Sequence, residues 1–383
     1  MLKCKIIFIY FFIIILSFII FNVLNKLEIF KNVSEINMKN KKCHKKYYKN
    51  PIKDFIVLDN HTLIASSLNV PFLFHKLTYL EDHFLPNDNL IYFNIDSEEI
   101  KEIQIKNFPK KISFHPHGIY LYKNKYIYII NHSFHYIKSY ERIEIVEIIK
   151  EDNVFKELRY LKSIILPDNF FGTLSGITVV SNETIYFTTN NPFHMPNGEN
   201  EFHLFHILRY KYGNIISIFF NLKLTGMYQY YKGSIKLIKE STSIMNNGII
   251  YNEKRKLIYL SQTVDKQILI FDIKNKIEPK LIKTIKNDYA NYNLFMDKKN
   301  DIIYAGLIGK IYNFFLIIKY YRKYGKWGDY DCYGGFEEIN TNNNDNIKII
   351  NMNKNLLRGI NSGIIINNKE ILTANLEGGI LIC

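Results

Sequence analysis

The sequence FHPHGIYLYKNKYIYIINH, residues 114–132, consists of two short apolar runs joined by a polar turn. Aromatic and β-branched residues dominate both runs, and the turn is short enough for a hairpin of two antiparallel strands. His117 begins the first run and His132 ends the second, so the hairpin would bring both imidazoles to the same end of a sheet. A histidine pair can transfer a proton near neutral pH. Two ordinary polar residues at strand ends are the simpler interpretation.

The same pattern, a polar turn followed by a short apolar strand, occurs six times along the chain. The six turns begin at Asp59, Asn124, Asn182, Lys254, Asn300 and Asn368. Another apolar strand precedes several of these turns. Hairpins that recur at intervals of several tens of residues are typical of propeller blades, so we predict an all-β fold, a six-bladed β-propeller.

Polar residues stand where the innermost strands of such blades would start, close to the central channel. They are Asp54, His117, Ser175, Asn247, Asn293 and Asn361. Oxygen atoms that converge in a channel are the ligands that calcium prefers. The alternative, which is strong for asparagine, is that these residues only cap strands and turns.

The composition supports a strand-rich body and excludes several functional classes. The chain has 383 residues, is 47% hydrophobic and carries a net charge of +14. The abundance of Ile, Tyr and Phe favours strands. The lysines are scattered and no nucleic-acid-binding motif accompanies them, so we predict no nucleic-acid partner. The chain also lacks a Gly-x-Ser-x-Gly nucleophile elbow, a phosphate-binding loop and a dinucleotide fingerprint.

The N-terminus is almost entirely apolar from Ile6 to Leu24. This length is sufficient to span the hydrocarbon core of a bilayer, and no small-residue cleavage site follows it. We therefore predict an uncleaved transmembrane signal anchor in contact with membrane lipid. The predicted organisation is a tail over residues 1–5, the anchor over 6–24, a linker over 25–42 and the propeller over 43–383.

Two kinds of signal disagree about the side of the membrane on which the body lies. Five lysines between Lys39 and Lys46 follow the apolar run, and the positive-inside rule would place them in the cytoplasm. A bridge between Cys43 and Cys383 would tie the two ends of the body together, and it needs an oxidising compartment. Glycosylation sequons begin at Asn32, Asn60 and Asn182. We predict a single-pass membrane protein whose body lies in the ER lumen or outside the cell.

Several motifs together resemble the paraoxonase/arylesterase family. They are FHPHGI at residues 114–119, Asn131-His132, Asn247-Gly248-Ile249, and the stretch from Leu357 to Cys383. Their joint order and spacing carry the resemblance, which extends from Cys43 to Cys383. It implies a six-bladed propeller with a retained N-terminal hydrophobic segment. It also implies a disulfide that closes the propeller, and Cys43 and Cys383 match its two cysteines.

The resemblance further implies calcium-dependent hydrolysis of aryl esters and lactones. In this family the catalytic calcium polarises the substrate carbonyl, and a histidine dyad is the base that activates water. His117 and His132 match the dyad. The matches to calcium ligands are Asn247 and Asn293 for the catalytic ion, and Asp54 and the Ile119 carbonyl for a second, structural ion.

Several positions depart from the family's calcium ligands. Lys53 and Tyr292 stand where the family has glutamate and aspartate. Ser175 stands where it has asparagine, but its hydroxyl is still a candidate ligand, and Gly176 replaces an aspartate of the second site. Calcium affinity follows the charge and number of the ligands, and the Lys53 cation would repel the ion. The resemblance therefore implies calcium as the cofactor, but in a degraded site with weak or lost hydrolysis.

An alternative function follows from the loss of these ligands. The chain would then be a non-catalytic propeller of the ER or cell surface that acts as a chaperone or accessory subunit for a membrane channel. In this respect it is similar to the paraoxonase-like membrane proteins that assist the maturation of degenerin-type channels.

Two segments outside these motifs complete the expectations. Residues 201–210 are predicted to form either an amphipathic helix that covers the channel or an ordinary buried connection. Residues 320–346 are predicted to form an exposed insertion.

Overall fold

β-Strands make up most of the computed structural model, as the content of Ile, Tyr and Phe predicts. The structure describes residues 2–36, 42–68, 88–133, 140–152, 154–167, 170, 172–192, 213, 216–275, 278–324, 331–341, 346–354, 359–374 and 378–383. Helix α1 spans Leu2–Lys26 and helix α2 spans Ile311–Tyr324. Residues 216–220 are also helical.

The described ranges contain 24 strands in five sheets. Strands β1 to β9 span His44–Asp59, Thr62–Ser67, Asn89–Asn94, Ile100–Ile103, Ile105–Lys106, Pro116–Tyr122, Tyr126–Ser133, Tyr140–Glu151 and Val154–Ile165. Strands β10 to β17 span Thr173–Ser181, Thr184–Asn191, Thr225–Tyr231, Ser234–Ser243, Asn246–Asn252, Leu257–Gln262, Gln267–Asp272 and Lys280–Lys286. Strands β18 to β24 span Ala290–Asp297, Ile302–Ile308, Tyr333–Asn340, Asn346–Lys354, Ile360–Ile366, Lys369–Ala374 and Gly378–Ile382.

The sheets are antiparallel meanders in which neighbouring strands follow one another in sequence. Three sheets have four strands each, in the orders β10 to β13, β14 to β17 and β18 to β21. A fourth contains β6 to β9, with the short β5 added in parallel to β9. The fifth has seven strands in the order β22-β23-β24-β1-β2-β3-β4.

Strand β1 joins the two halves of the seven-stranded sheet. Its first part, from His44 to Pro51, pairs with β24, and its second part, from Ile52 to Asp59, pairs with β2. The first strands of the successive units also contact one another in the order β1, β6, β10, β14, β18 and β22, and β22 contacts β1 again. These six strands therefore form a closed ring.

The hydrophobic core lies between neighbouring sheets. Phe187 of β11, Tyr259 of β15 and Ala305 of β19 belong to one buried cluster. Because these residues come from three consecutive sheets, the cluster holds the sheets face to face. Burial of each large apolar side chain contributes about 1.5–3 kcal/mol.

The predicted hairpin over residues 114–132 is confirmed. Strands β6 and β7 pair antiparallel, with Tyr122 opposite Tyr126. Lys123 and Asn124 in the turn both have positive φ, at 52° each. This conformation is the one that tight hairpin turns require, and asparagine adopts it readily.

The predicted disulfide between Cys43 and Cys383 is also confirmed. Cys43 immediately precedes β1, and Cys383 immediately follows β24, its pairing partner. The backbone N–H and C=O of Cys383 both bond to Glu370, at 2.9 and 3.0 Å. Covalent and hydrogen-bonded contacts therefore hold the two ends of the ring together.

The predicted transmembrane anchor over Ile6–Leu24, and with it the single-pass membrane protein, is contradicted. Where the side chains are described, no helix is long and apolar enough to cross a membrane. Val23 near the end of α1 and Leu27 just after the helix pack against a buried cluster of the body.

The prediction of an exposed insertion over residues 320–346 is wrong for its second half. Strand β20 lies there as the third strand of its sheet, and Phe336 in it is fully buried. The Tyr- and Lys-rich start and the Asn-rich end of this segment suggested a surface. Glu337 within β20 is nevertheless buried, and it accepts hydrogen bonds from the Asn287 and Asn291 amides, at 2.6 Å each. The predicted helix over residues 201–210 lies outside the described residues.

Replacement of both bridging cysteines by serine should reduce the free energy of unfolding. The bridge closes a loop with a sequence separation of 340, and removal of a native disulfide costs about 2–5 kcal/mol. Urea unfolding of the natural protein and of the double variant measures this loss. A reducing agent should destabilise the natural protein to the same extent and leave the variant unchanged. Equal unfolding midpoints for both proteins in oxidising buffer would contradict the prediction.

Candidate active site

His117 and His132 lie side by side at the end of the ring where β6 begins. Their ring centroids are 5.1 Å apart and their planes are inclined by 47°. Both side chains are buried. The structure thus brings together the two histidines that the hairpin predicted to meet.

A closed set of hydrogen bonds orients both imidazoles. His117 Nδ1 donates to the Leu174 carbonyl at 3.2 Å, and the Leu174 N–H donates to Glu141 Oε2 at 3.3 Å. The same carboxylate oxygen accepts from His132 Nδ1 at 2.9 Å. A carbonyl and a carboxylate can only accept, so both rings carry their proton on Nδ1. In its neutral form each imidazole then carries its lone pair on Nε2, the atom that can act as a base.

The surroundings of His117 keep it neutral. Burial lowers the pKa of His117 well below its usual value, and the neighbouring His132 and Lys53 lower that pKa further. The bond to the Leu174 carbonyl opposes this effect only in part. At neutral pH His117 is therefore in the form that can take up a proton.

Glu141 is a site residue that sequence reasoning missed. It lies on β8 directly opposite His132 on β7. To predict that Glu141 faces His132, one must know the register in which β7 and β8 pair. Residues 134–139 separate the two strands, and no turn motif in the sequence fixes the register across them.

A second set of buried contacts supports the segment that carries His117. Asp88 Oδ2 lies 2.9 Å from His115 Nδ1, and both side chains are buried. Asn131 Oδ1 accepts from the His115 N–H at 2.8 Å. The His115 carbonyl in turn accepts from the His132 N–H at 3.1 Å. These bonds fix the two strands that position the histidine pair.

Asn247 and Ser175, two predicted calcium ligands, bond to each other. Ser175 Oγ donates to Asn247 Oδ1 at 2.6 Å. The amide nitrogen of Asn247 is buried and has no hydrogen-bond partner among the residues that the structure describes. A cation needs oxygen ligands, and here the amide oxygen is engaged while the group left over is a donor. Such a donor suits a carbonyl oxygen or an anion.

Asn293 and Asn361 hold the backbone of Lys53. Each donates an amide N–H to the Lys53 carbonyl, at 2.6 Å. The side chain of Lys53 is only 3% exposed. Burial lowers the pKa of Lys53 to about 7, although Asp88 raises it in part. The place of the family's glutamate is thus occupied by a buried basic group that Asn293 helps to fix.

The predicted second calcium site is built around Asp54. Its two carboxylate oxygens accept from the N–H groups of Phe55 and Ile119, at 3.0 and 3.1 Å. Burial raises the pKa of Asp54 to about 7, and these two bonds lower it in part. The exposed part of the side chain faces a cavity between the strands. Gly176 contributes no side chain where the family has a carboxylate.

The residues at these two positions do not fit a calcium ion. Throughout the described ranges, no group of three or more His, Cys, Asp or Glu side chains is placed to hold a metal. At the first position Lys53 replaces an anionic ligand, and the Asn247 oxygen, a neutral ligand, already accepts one bond from Ser175. At the second position, Asp54 is the single carboxylate ligand among the residues that the structure describes. Calcium requires six to eight oxygen ligands with sufficient charge.

The three predicted glycosylation residues lie on the surface. Asn32, Asn60 and Asn182 are all exposed, whereas Asn131, in a fourth sequon, is fully buried. Exposure is necessary for modification, so the three residues stay predictions.

The antiparallel sheets form a closed ring, so the protein is all-β. The buried, oriented histidine pair at one end of the ring is a candidate general base. The family model described as Arylesterase matches residues 53–317. The chain therefore belongs to the arylesterase family, the family of the paraoxonases.

One curated relative and several solved structures are similar to the chain. Serum paraoxonase/lactonase 3 of Oryctolagus cuniculus is 25% identical over 232 residues, and the match spans 58% of each protein, less than two thirds of that relative. A gluconolactonase of Xanthomonas campestris has a TM-score of 0.47 and 8% identity, with 91% of this chain and 99% of that chain covered. The periplasmic gluconolactonase of Pseudomonas aeruginosa has a TM-score of 0.42 and 7% identity, with 84% and 77% covered.

Lys53→Met should alter the pH dependence of stability. The folded protein releases the Lys53 proton near pH 7, whereas the unfolded chain keeps it up to about 10.5. Between these values the unfolded state binds more protons, so the free energy of unfolding of the natural protein should rise with pH. The rise is at most about 1.4 kcal/mol per pH unit.

Methionine does not titrate, so the variant should lack this rise. Urea unfolding of both proteins between about pH 7 and 10 measures the difference in slope. Lys299→Met is the matched control, because Lys299 is exposed and its replacement should leave the slope unchanged. Parallel curves for the natural protein and Lys53→Met would contradict the inferred burial of the amine.

Proposed function

We propose that the protein hydrolyses an ester or lactone with His117 as the general base, and that calcium-dependent arylesterase activity is weak or absent. One observation carries the proposal: burial keeps His117 neutral, and its bond to the Leu174 carbonyl places the proton on Nδ1 and so leaves the lone pair on Nε2. Family membership supports a reaction of this class.

The reaction follows from this protonation state. His117 Nε2 takes a proton from water while the water oxygen bonds to the carbonyl carbon of the substrate. The resulting tetrahedral intermediate breaks its bond to the alkoxy or phenoxy oxygen, and that oxygen receives the proton from His117. His132 adjoins His117 and is held by Glu141, so it can orient the base and share the proton during the cycle.

The negative oxygen of the intermediate needs a stabilising group. The Asn247 amide nitrogen is a buried donor with no partner in the described part of the chain. Ser175, which bonds to this amide, follows Leu174 directly in the chain. A preorganised donor of this kind contributes about 2.7–4 kcal/mol to the transition state. The ammonium form of Lys53, close enough to His117 to lower its pKa, can add to this stabilisation.

For the architecture, we infer a six-bladed propeller over residues 43–383. The seven-stranded sheet would count as two blades that share β1, because the two parts of this strand pair with different neighbours. The closed ring of six first strands supports this count. The histidine pair would then lie at one mouth of the central channel.

Hydrolysis of phenyl acetate and of a simple lactone tests the proposed function. The purified protein should retain its turnover in a chelator, because the residues present do not fit calcium. His117→Gln should lower kcat by two to four orders of magnitude, the usual contribution of a general base, about 10²–10⁴. Glu141→Gln should lower kcat less than His117→Gln and shift the pH profile, because it changes the orientation of His132 and not the base itself.

Two outcomes would count against this assignment. Turnover that a chelator abolishes and that His117→Gln also abolishes would place the protein among the calcium-dependent members of the family. No turnover by folded protein under any condition would favour the non-catalytic alternative.

Lys53→Glu combined with Tyr292→Asp should create calcium affinity before it creates activity. The pair restores two carboxylates where the family has acidic ligands, and calcium affinity rises with ligand charge. Isothermal titration should detect calcium binding by the double variant and none by the natural protein. Lys299→Glu with Tyr47→Asp adds the same charges at exposed positions and serves as the control. Equal calcium binding by the natural protein and the double variant would refute the degraded site.

A further inference from the structure

A cavity of about 350 Å³ opens at the side of the ring where the hairpin turns lie. Its inner end is formed by Asp54 and Asn293, and its rim by turn residues such as Asn124 and Asn367. Its volume falls within the range of small-molecule sites, about 300–1,000 Å³. His117 and His132 do not line it, so the cavity is separate from the histidine pair.

We propose that this cavity binds a small organic ammonium ion with an apolar body, its charged nitrogen against Asp54. The proposal does not depend on the hydrolytic function, because none of the groups assigned to that reaction lines the cavity.

The carboxylate of Asp54 is the group that selects a cation. Each of its oxygens accepts one backbone N–H, from Phe55 and from Ile119. A carboxylate oxygen has two lone pairs, so both oxygens can accept further bonds from an ammonium group in the cavity. Asp54 also lies at the inner end, away from bulk water, where a charge pair is stronger than at the surface.

The other carboxylate of the lining is already engaged. Asp297 Oδ1 accepts from the backbone N–H groups of Lys299 and Asn300, at 2.9 and 3.2 Å. Its second oxygen accepts from the Asn300 amide at 2.7 Å. Asp297 therefore stabilises its own turn with three hydrogen bonds, whereas Asp54 accepts two and lies at the inner end, so Asp54 has the larger remaining capacity to accept from a ligand.

Apolar residues between the inner end and the rim favour a hydrocarbon body. Leu121, Met296 and Ile366 line this part of the cavity. Strand β1 runs from Asp54 to its end at Asp59, and at about 3.3 Å per residue this is a depth of roughly 15 Å. An extended chain of about six to ten carbon atoms fits this depth.

The charges at the rim distinguish an ammonium ligand from an anionic one. Lys298 and Lys299 line the rim and are exposed. An anion would use these lysines, but exposed ion pairs contribute little because water and salt screen them. A cation instead pairs with Asp54 in a more enclosed place. Replacement of the rim lysines by glutamine should therefore leave the binding of a cation unchanged or slightly stronger, and should not weaken it.

Isothermal titration of the full chain with n-hexylamine tests the site, with n-hexanol and hexanoate as probes of the same length. The amine should bind at least tenfold more tightly than either. Asp54→Asn should weaken amine binding at least tenfold. Leu121→Trp, which fills the cavity from its side wall, should do the same, whereas Leu161→Trp at an exposed position should have no effect.

The outcomes separate the possibilities. Loss of amine binding in Leu121→Trp supports the site even when Asp54→Asn does not fold. Equal affinity for amine and alcohol, or unchanged amine affinity in Leu121→Trp, would overturn the proposal, as would the absence of amine binding by the natural protein. Amine affinity that Lys299→Gln weakens would also overturn it. His117→Gln should leave amine binding intact, which keeps this test distinct from that of the hydrolytic site.

Discussion

The double pairing of β1 is the constraint on which the rest of the structure depends. One half of this strand is the outer partner of β24, the other half is the first strand of the next unit, and the Cys43–Cys383 bond fixes the junction. Every first strand then has a neighbour on both sides. The polar groups at the strand starts can meet only because this ring is closed, so residues as distant in sequence as Lys53 and Asn361 come into contact.

The parts of the site that sequence could predict are those that local geometry determines. His117 and His132 lie on one hairpin whose turn residues tolerate positive φ, so their meeting follows from the turn. Glu141 and Asp88 could not be found in this way. Their contacts depend on strand register across long connections, and an acidic residue at these places is indistinguishable in sequence from a surface residue.

The same limit explains the two errors in the fold. Strand β20 was missed because it lies between a segment rich in Tyr and Lys and an Asn-rich run. Two asparagine amides offset only part of the cost of burying Glu337 in this strand, since burial still raises its pKa to about 8. The apolar N-terminus suggested a membrane span from its composition, but composition does not reveal that Val23 and Leu27 pack against the body. The alternation of apolar and polar residues, together with the turn residues, was sufficient to predict most strands. The position of the N-terminal helix and of β20 depends on tertiary contacts that the sequence does not show.

The peptide unit of Leu174 has a consequence for how the site responds to change. Its carbonyl holds one imidazole and its N–H holds the carboxylate of the other. Any shift of β10 relative to β8 that frees one ring must also disturb the second. The two imidazoles are therefore coupled through one peptide unit. The effects on activity of substitutions at His117, His132 and Glu141 should consequently be less than additive.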